Sequence, residues 1–253
     1  MTATLVNLGA SGPVTTARTL VCVPHAGGSV VAFRGWVRAA AAAGLAVRAV
    51  HWEDAADTNG RRPGIASRAG ALATELSQLP GPWVLLGHSL GALIAAETAR
   101  RIEERATGPA PERIVLCAAA PPGHPRGFPP DVLTASDTDM AQYVRRLGGT
   151  PEEILSDPEF GPQLLTRLRE DLDLIERYEP VFLRPLSSPV SVYGGASDAS
   201  VPVEVLDGWR SFAPRARVRV FPGNHFFLHD SPADVCRELA ADCARSGPDP
   251  FGR

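Results

Sequence analysis

The sequence predicts an α/β protein built on a mostly parallel central sheet, with helices on both faces and a helical insertion late in the chain. Three observations carry that reading. Short apolar runs of strand type alternate with segments of helical periodicity up to residue 119, in the order β-α-β-α-β-α-β. The alternation then stops: residues 121–186 open with Pro121-Pro122-Gly123, contain no convincing strand and read as several short helices. In the middle of the first half, the apolar run Trp83-Val84-Leu85-Leu86 enters Gly87-His88-Ser89-Leu90-Gly91, and an alanine-rich helical pattern follows at once.

Taken in order, residues 4–7 are a candidate edge strand and residues 19–23 a short buried one, ended by Pro24-His25-Ala26-Gly27-Gly28-Ser29. Residues 31–43 read as a helix and 46–50 as the next strand. The polar stretch 51–63 is a loop, marked by Asn59-Gly60 and Pro63. Apolar residues at helical spacing fill 65–79. The helix after Ser89 runs to about Arg105, with Gly108-Pro109 as its stop, and residues 113–119 are strand. After the insertion come a strand at 190–193, a helix near 203–212, a strand at 217–221, the loop Pro222-Gly223-Asn224-His225 and a helix near 232–245. Residues 1–120 and 187–246 then form one core domain, 121–186 an inserted helical lid, and 247–253 a disordered tail.

Composition narrows the chemistry. Of 253 residues, 44% are hydrophobic and 21% charged, ordinary for a globular protein that buries a sizeable core. A net charge of −3 gives no reason to expect nucleic acid or an anionic membrane surface as partner. All 25 basic residues are arginine, which excludes a Schiff-base lysine, a pyridoxal phosphate anchor and a Walker A lysine. The four cysteines, 22, 117, 236 and 243, form no CxxC pair, so neither a metal nor a disulfide framework is expected. No segment resembles a signal peptide or a membrane span, and a cytoplasmic location is expected.

A strand, a sharp Gly-x-Ser-x-Gly turn and a helix are the context of a nucleophile elbow, with Ser89 at its tip. Serine is a poor nucleophile unless a positioned base takes its proton and a third group orients that base. With this elbow the partners follow in the order acid, then histidine, each on a loop after a strand. Of the six histidines, His225 lies after the last strand, where the base belongs, and His229 is the second candidate four residues on. The other four precede the last strands, and His88, inside the elbow, points away from the serine. Asp198, in Gly194-Gly195-Ala196-Ser197-Asp198, follows the strand at 190–193; Asp207, in the next helix, is the alternative acid. An oxyanion hole needs two N–H donors. One is the residue after the nucleophile, Leu90, and the other is assigned to Ala26, in the loop after the strand at 19–23.

Several segments together resemble the type II thioesterases, α/β-hydrolases that accompany polyketide and nonribosomal peptide synthases. They are Pro24-His25-Ala26-Gly27-Gly28-Ser29, Gly87-His88-Ser89-Leu90-Gly91-Ala92 and Phe221-Pro222-Gly223-Asn224-His225-Phe226-Phe227-Leu228. In the insertion, Arg146-Leu147-Gly148-Gly149-Thr150-Pro151-Glu152-Glu153-Ile154-Leu155, Leu168-Arg169-Glu170-Asp171 and Tyr178 add the most specific part. The similarity spans roughly residues 18–243. The resemblance implies the α/β-hydrolase fold and a Ser89–His225–Asp198 triad. It implies hydrolysis of acyl or aminoacyl thioesters on the phosphopantetheine arm of an acyl or peptidyl carrier protein, to edit a synthase. No metal or dissociable cofactor is then expected, since the pantetheine belongs to the partner. The arm needs a channel, so helices near 128–178 are expected to move, and Arg126, Arg145 and Arg146 are candidates to face an acidic carrier. Departures are the stretch 51–62, where the family carries a Pro-Gly-Arg turn, together with Asn224 and Ala196. The alternatives are an acyltransferase or cyclase using the same triad, an oxygen esterase, and a non-catalytic carrier-binding protein.

Overall fold

A computed structural model describes residues 1–9, 18–53, 62–105, 109–124, 128–129, 131–179 and 184–245. Among these residues seven strands form one sheet: β1 (Thr2–Asn7), β2 (Arg18–Val23), β3 (Leu45–Glu53), β4 (Trp83–His88), β5 (Arg113–Cys117), β6 (Val190–Gly195) and β7 (Arg217–Phe221). Their spatial order is β1-β3-β2-β4-β5-β6-β7. Only β1 runs antiparallel, pairing with β3 along one edge. The other pairings are all parallel.

This arrangement explains the apolar runs. A parallel strand in the middle of a doubly covered sheet is buried on both faces, so it carries no polar alternation. Every residue of β4, β5 and β6 is buried, whereas the edge strand β7 exposes parts of its surface and carries Arg217 and Arg219. Edge arginines leave the unpaired backbone of that strand an unattractive template for another chain.

Among the described residues eight α-helices surround the sheet: α1 (Val37–Ala42), α2 (Ile65–Leu76), α3 (Leu90–Arg105), α4 (Asp137–Leu147), α5 (Glu152–Leu155), α6 (Phe160–Glu176), α7 (Phe227–Asp230) and α8 (Pro232–Ala244). Two segments expected to be α-helical differ. Residues 31–43 divide into a 3₁₀ helix, Val30–Trp36, and the short α1. The helix expected near 203–212 is also 3₁₀, Val203–Ser211. In both, the two buried anchors stand three residues apart, Phe33 with Trp36 and Leu206 with Trp209. That spacing puts them on one face of a three-residue turn, so tertiary burial selects the tighter helix. The turn α7, directly after His225, was not anticipated.

The insertion is not uniformly made of short helices, because α6 has 17 residues. Helix α4 carries strong end signals: Ser136 accepts from the Asp139 N–H at 3.2 Å, Asp137 and Asp139 lie in the first turn, and Gly148 closes the other end at φ 77°. Met140, Tyr143, Val144, Leu155, Leu165 and Leu168 form a small core of the insertion's own. Two residues, Ala26 and Ile175, pack against both this cluster and one of the larger sheet cores. The expected loop at Asn59-Gly60, the helix stop at Gly108, Arg126 and the tail from 247 lie outside the described residues.

Helix α8 is fastened to the sheet by a buried polar network. Asp242, fully buried, accepts from Ser191 Oγ at 2.6 Å and from Tyr193 Oη at 2.8 Å. Arg113, 2% exposed, donates to Ser191 Oγ and to the Asp242 carbonyl, each at 3.0 Å. Removing one partner of such a network strands a buried charge, at a cost of about 3–5 kcal/mol. Asp242→Ala is therefore expected to lower the urea midpoint of unfolding markedly without touching the site described next. An unchanged midpoint would show that the network contributes little.

Candidate active site

The elbow has the expected geometry. Ser89 sits at φ 55°, one of two non-glycine residues with positive φ among those described. A serine holds this disfavoured conformation only when its surroundings dictate it. They do: Ser89 N–H donates to the Cys117 carbonyl at 2.8 Å, and the alanine-rich face of α3 packs on the sheet. The flanking glycines permit the turn, since a Cβ on Gly87 would lie 2.1 Å from the Gly91 carbonyl oxygen and one on Gly91 2.3 Å from that of Val23.

His225 and Asp198 meet. Although 27 residues apart in sequence, His225 Nδ1 and Asp198 Oδ2 are 2.8 Å apart, with the aspartate 5% and the histidine 7% exposed. The carboxylate is itself aimed: its Oδ1 accepts the Ser200 and Val201 N–H groups at 2.9 and 3.0 Å. Holding Nδ1 in this way leaves Nε2 as the nitrogen available to the cavity. Ser89 and His225 line one cleft together with Ala26, about 770 Å³ with its mouth included. No hydrogen bond joins the Ser89 hydroxyl to the His225 imidazole; the two side chains share the cleft. The backbone N–H groups of Ala26 and Leu90 have no hydrogen-bond partner among the described residues, and Ala26 lines the cleft beside Ser89. The alternatives separate cleanly: Asp207 pairs with Arg210, and His229 accepts from Trp36 Nε1 at 3.3 Å.

Behind His225 lies a group of rings that the sequence did not make legible. His88 Nε2 is 2.9 Å from the His225 carbonyl oxygen, so His88 carries its proton there and supports the backbone of His225. This fits its expected direction, away from the serine. The His25 and His88 rings pack edge to face against Phe226, and His229 lies tilted against it. Burial pushes His25 down to about 3, His229 down to about 4 and His88 well below the usual range, so all three are neutral. Their nearest nitrogens lie within 4.8 Å of one another. Imidazole ligands of one zinc ion stand roughly 3.3 Å apart, given metal–nitrogen distances near 2.0–2.1 Å, so the spread here is looser than such a site needs. The four thiols are buried, and burial pushes each of them up, Cys236 to about 12, which removes them as nucleophiles.

Neutral buried histidines make stability depend on pH. Their pKa values are lowered on folding from an unfolded value of about 6.5, so below that pH the unfolded chain binds more protons than the folded one. Stability is complete above about pH 7 and falls as pH drops, by up to about 1.4 kcal/mol per group and pH unit. Urea midpoints at pH 7 and 5 measure this in a window where carboxylates stay ionised. A clear fall is expected, and equal midpoints would contradict the neutral cluster.

A parallel sheet, a strained serine elbow after β4, an acid after β6 and a histidine after β7 together define an α/β-hydrolase. The chain belongs to the thioesterase domain family, whose model matches residues 18–243, and it is a thioester hydrolase. It is 30% identical over 228 residues to the gramicidin S biosynthesis protein GrsT of Aneurinibacillus migulanus, covering 87% of this chain and 88% of that one. Among solved structures it is similar to RedJ, a thioesterase from the prodiginine pathway of Streptomyces coelicolor. That match has 31% identity and a TM-score of 0.77, over 91% of this chain and 87% of that one. YbtT, a type II thioesterase from the yersiniabactin NRPS/PKS pathway, matches with a TM-score of 0.81 at 25% identity, over 98% and 100% of the two chains. No helix among the described residues is long and apolar enough to cross a membrane.

Proposed function

We propose that this chain hydrolyses acyl thioesters carried on the phosphopantetheine arm of a carrier protein, as an editing enzyme of a polyketide or nonribosomal peptide synthase. The single observation that carries the chemistry is the His225–Asp198 pair at 2.8 Å, whose histidine lines the same cleft as Ser89 at its strained elbow. In this reading His225 Nε2 takes the Ser89 proton as the oxygen attacks the thioester carbonyl. The oxyanion is held by the Ala26 and Leu90 N–H groups. The carbon–sulfur bond breaks, the thiol leaves with the proton returned by His225, and an acyl-enzyme remains. Water, deprotonated by His225, releases the acid and restores the serine. Side chains, backbone amides and water supply every group in this sequence.

The surroundings support an acyl chain on an arm. Leu93, Leu172, Ile175 and Tyr178 give the first cleft an apolar wall suited to hydrocarbon. A second cleft shares His225, Tyr143 and Ser200 with it and is lined by Arg146, Ser197 and Asn224. A polar cleft reaching the histidine suits the leaving thiol and its amide-containing arm. Arg145, by contrast, is engaged by Glu152 at 2.6 Å. Similarity to proteins named for gramicidin S biosynthesis and for an NRPS/PKS pathway supports a carrier protein as the partner. Incubating an acylated carrier with the enzyme and weighing the products is the test. A free acid and a deacylated carrier are expected, with turnover above that of simple oxygen esters. An amide, ester or cyclic product would assign the same triad to acyl transfer instead.

A further inference from the structure

The insertion does more than cover the site: one of its carboxylates reaches into the loop that carries the oxyanion donor. Asp171, on α6 and 3% exposed, accepts the Gly27 N–H through Oδ2 at 2.8 Å. Its other oxygen accepts from Arg68 Nη1 of α2 at 3.1 Å, and Arg68 is only 2% exposed. Arg62 stands 3.8 Å from the same oxygen. Gly27 follows Ala26 directly, so this carboxylate fixes the amide next to the one assigned to the oxyanion. The same face of α6 presses on the loop. Gly27, at φ 72°, has Leu168 and Leu164 against it, its missing Cβ position lying 3.5 Å from Leu168 Cβ and 3.6 Å from Leu164 Cδ1. Residues 164, 168, 171, 172 and 175 share one helical face, which is why packing and hydrogen bond arrive together. Ala26 itself is wedged between the insertion's core and the sheet core.

A left-handed glycine has many backbone alternatives, so its geometry must be imposed by contacts. Here all the imposing contacts named above, apart from the sheet core, come from α6. We propose that Asp171 is a positioning residue that makes the oxyanion hole conditional on the seating of α6. With α6 seated, Ala26 N–H is aimed; when α6 lifts, Gly27 N–H loses its acceptor and the loop relaxes. The hydrolase is thereby competent only under a closed insertion, and idle when the insertion stands open to admit or release an arm. This rests on the reading of Ser89 as nucleophile.

Two double variants isolate the contact. Arg68→Met with Asp171→Leu removes the acceptor without leaving a buried charge, and Arg68→Met with Asp171→Asn also lacks the ion pair but keeps an acceptor for Gly27. An oxyanion donor displaced by about 1 Å costs roughly 100-fold in rate. The leucine variant is expected to lose about that in kcat with KM little changed. It is expected to lose affinity for an alkylboronic acid, whose serine adduct mimics the tetrahedral intermediate, in parallel. The asparagine variant is expected to recover most of both. Equal kcat and equal boronate affinity in the two variants would overturn the proposal, while a wild-type protein that forms no boronate adduct would overturn the Ser89 reading beneath it. Hydrogen exchange of the wild type tests the coupling without any variant. Peptides covering 24–29 and 160–176 are expected to open together; an oxyanion loop that exchanges freely while α6 stays protected would contradict it.

Discussion

Ser89→Ala and His225→Ala are each expected to lower kcat by about 10⁶-fold with the fold intact, since members of such a constellation act as one unit. Neither side chain contributes to the sheet cores; Ser89 and His225 both face the cleft. The backbone that places them is held independently, at Ser89 by its N–H to the Cys117 carbonyl and at His225 by its carbonyl to His88. Loss of activity should therefore come without loss of the unfolding midpoint. The Ser89→Ala and His225→Ala changes should also be strongly non-additive: the double variant is expected to match either single one. Full additivity in steady-state thioester hydrolysis would mean that the two side chains work separately.

Asp198→Asn is the second large effect, about 10⁴-fold in kcat, and it acts without moving an atom far. The aspartate accepts from the His225 Nδ1–H and is itself oriented by the Ser200 and Val201 N–H groups. Those backbone donors keep the asparagine's carbonyl oxygen on their side and turn its NH₂ toward His225. The imidazole must then carry its proton on Nε2, where it is unable to accept one from Ser89. The loss should appear in kcat, with KM little changed. A variant with near wild-type kcat would remove Asp198 from the triad. Asp207→Asn, at a residue paired with exposed Arg210, is expected to change nothing.

These residues were legible because each follows a strand by a fixed logic. Ser89 is at the turn after β4, Asp198 after β6 and His225 after β7, and glycine-rich local sequence marks all three loops. The parallel sheet was legible for a related reason, since strands buried on both faces leave unbroken apolar runs such as Trp83-Val84-Leu85-Leu86. What stayed hidden depends on contacts between distant segments. Nothing local distinguishes Asp171 from the neighbouring Glu170, yet Asp171 bonds Gly27, 144 positions away, and Arg68, 103 positions away. His88 was read as turned from the serine, but its support of the His225 carbonyl spans 137 positions. The two 3₁₀ helices escaped because helical periodicity at 31–43 and 203–212 does not separate three from 3.6 residues per turn over so short a span. Trp36 and Trp209, both almost fully buried, decide the matter only once the sheet is present.

The proposed coupling of α6 to the loop at Ala26-Gly27 bears on how the insertion works. The carrier arm of the proposed function needs a path past helices 128–178, and the resemblance implied motion there. The contacts show what such motion would break: the Asp171 bonds at one point of α6 and, beyond its C-terminal end, the bond from Tyr178 Oη to Glu97 of α3 at 3.2 Å. Under that proposal opening and hydrolysis are alternatives, which is compatible with the editing role proposed above.

The most direct measurement is covalent capture. Incubated with a fluorophosphonate, the folded protein should gain one phosphonyl group, and peptide mass spectrometry should place it on Ser89, with labelling slowed in His225→Ala. A protein that takes up no label, or takes it up at another residue, would contradict the triad and the thioester chemistry built on it.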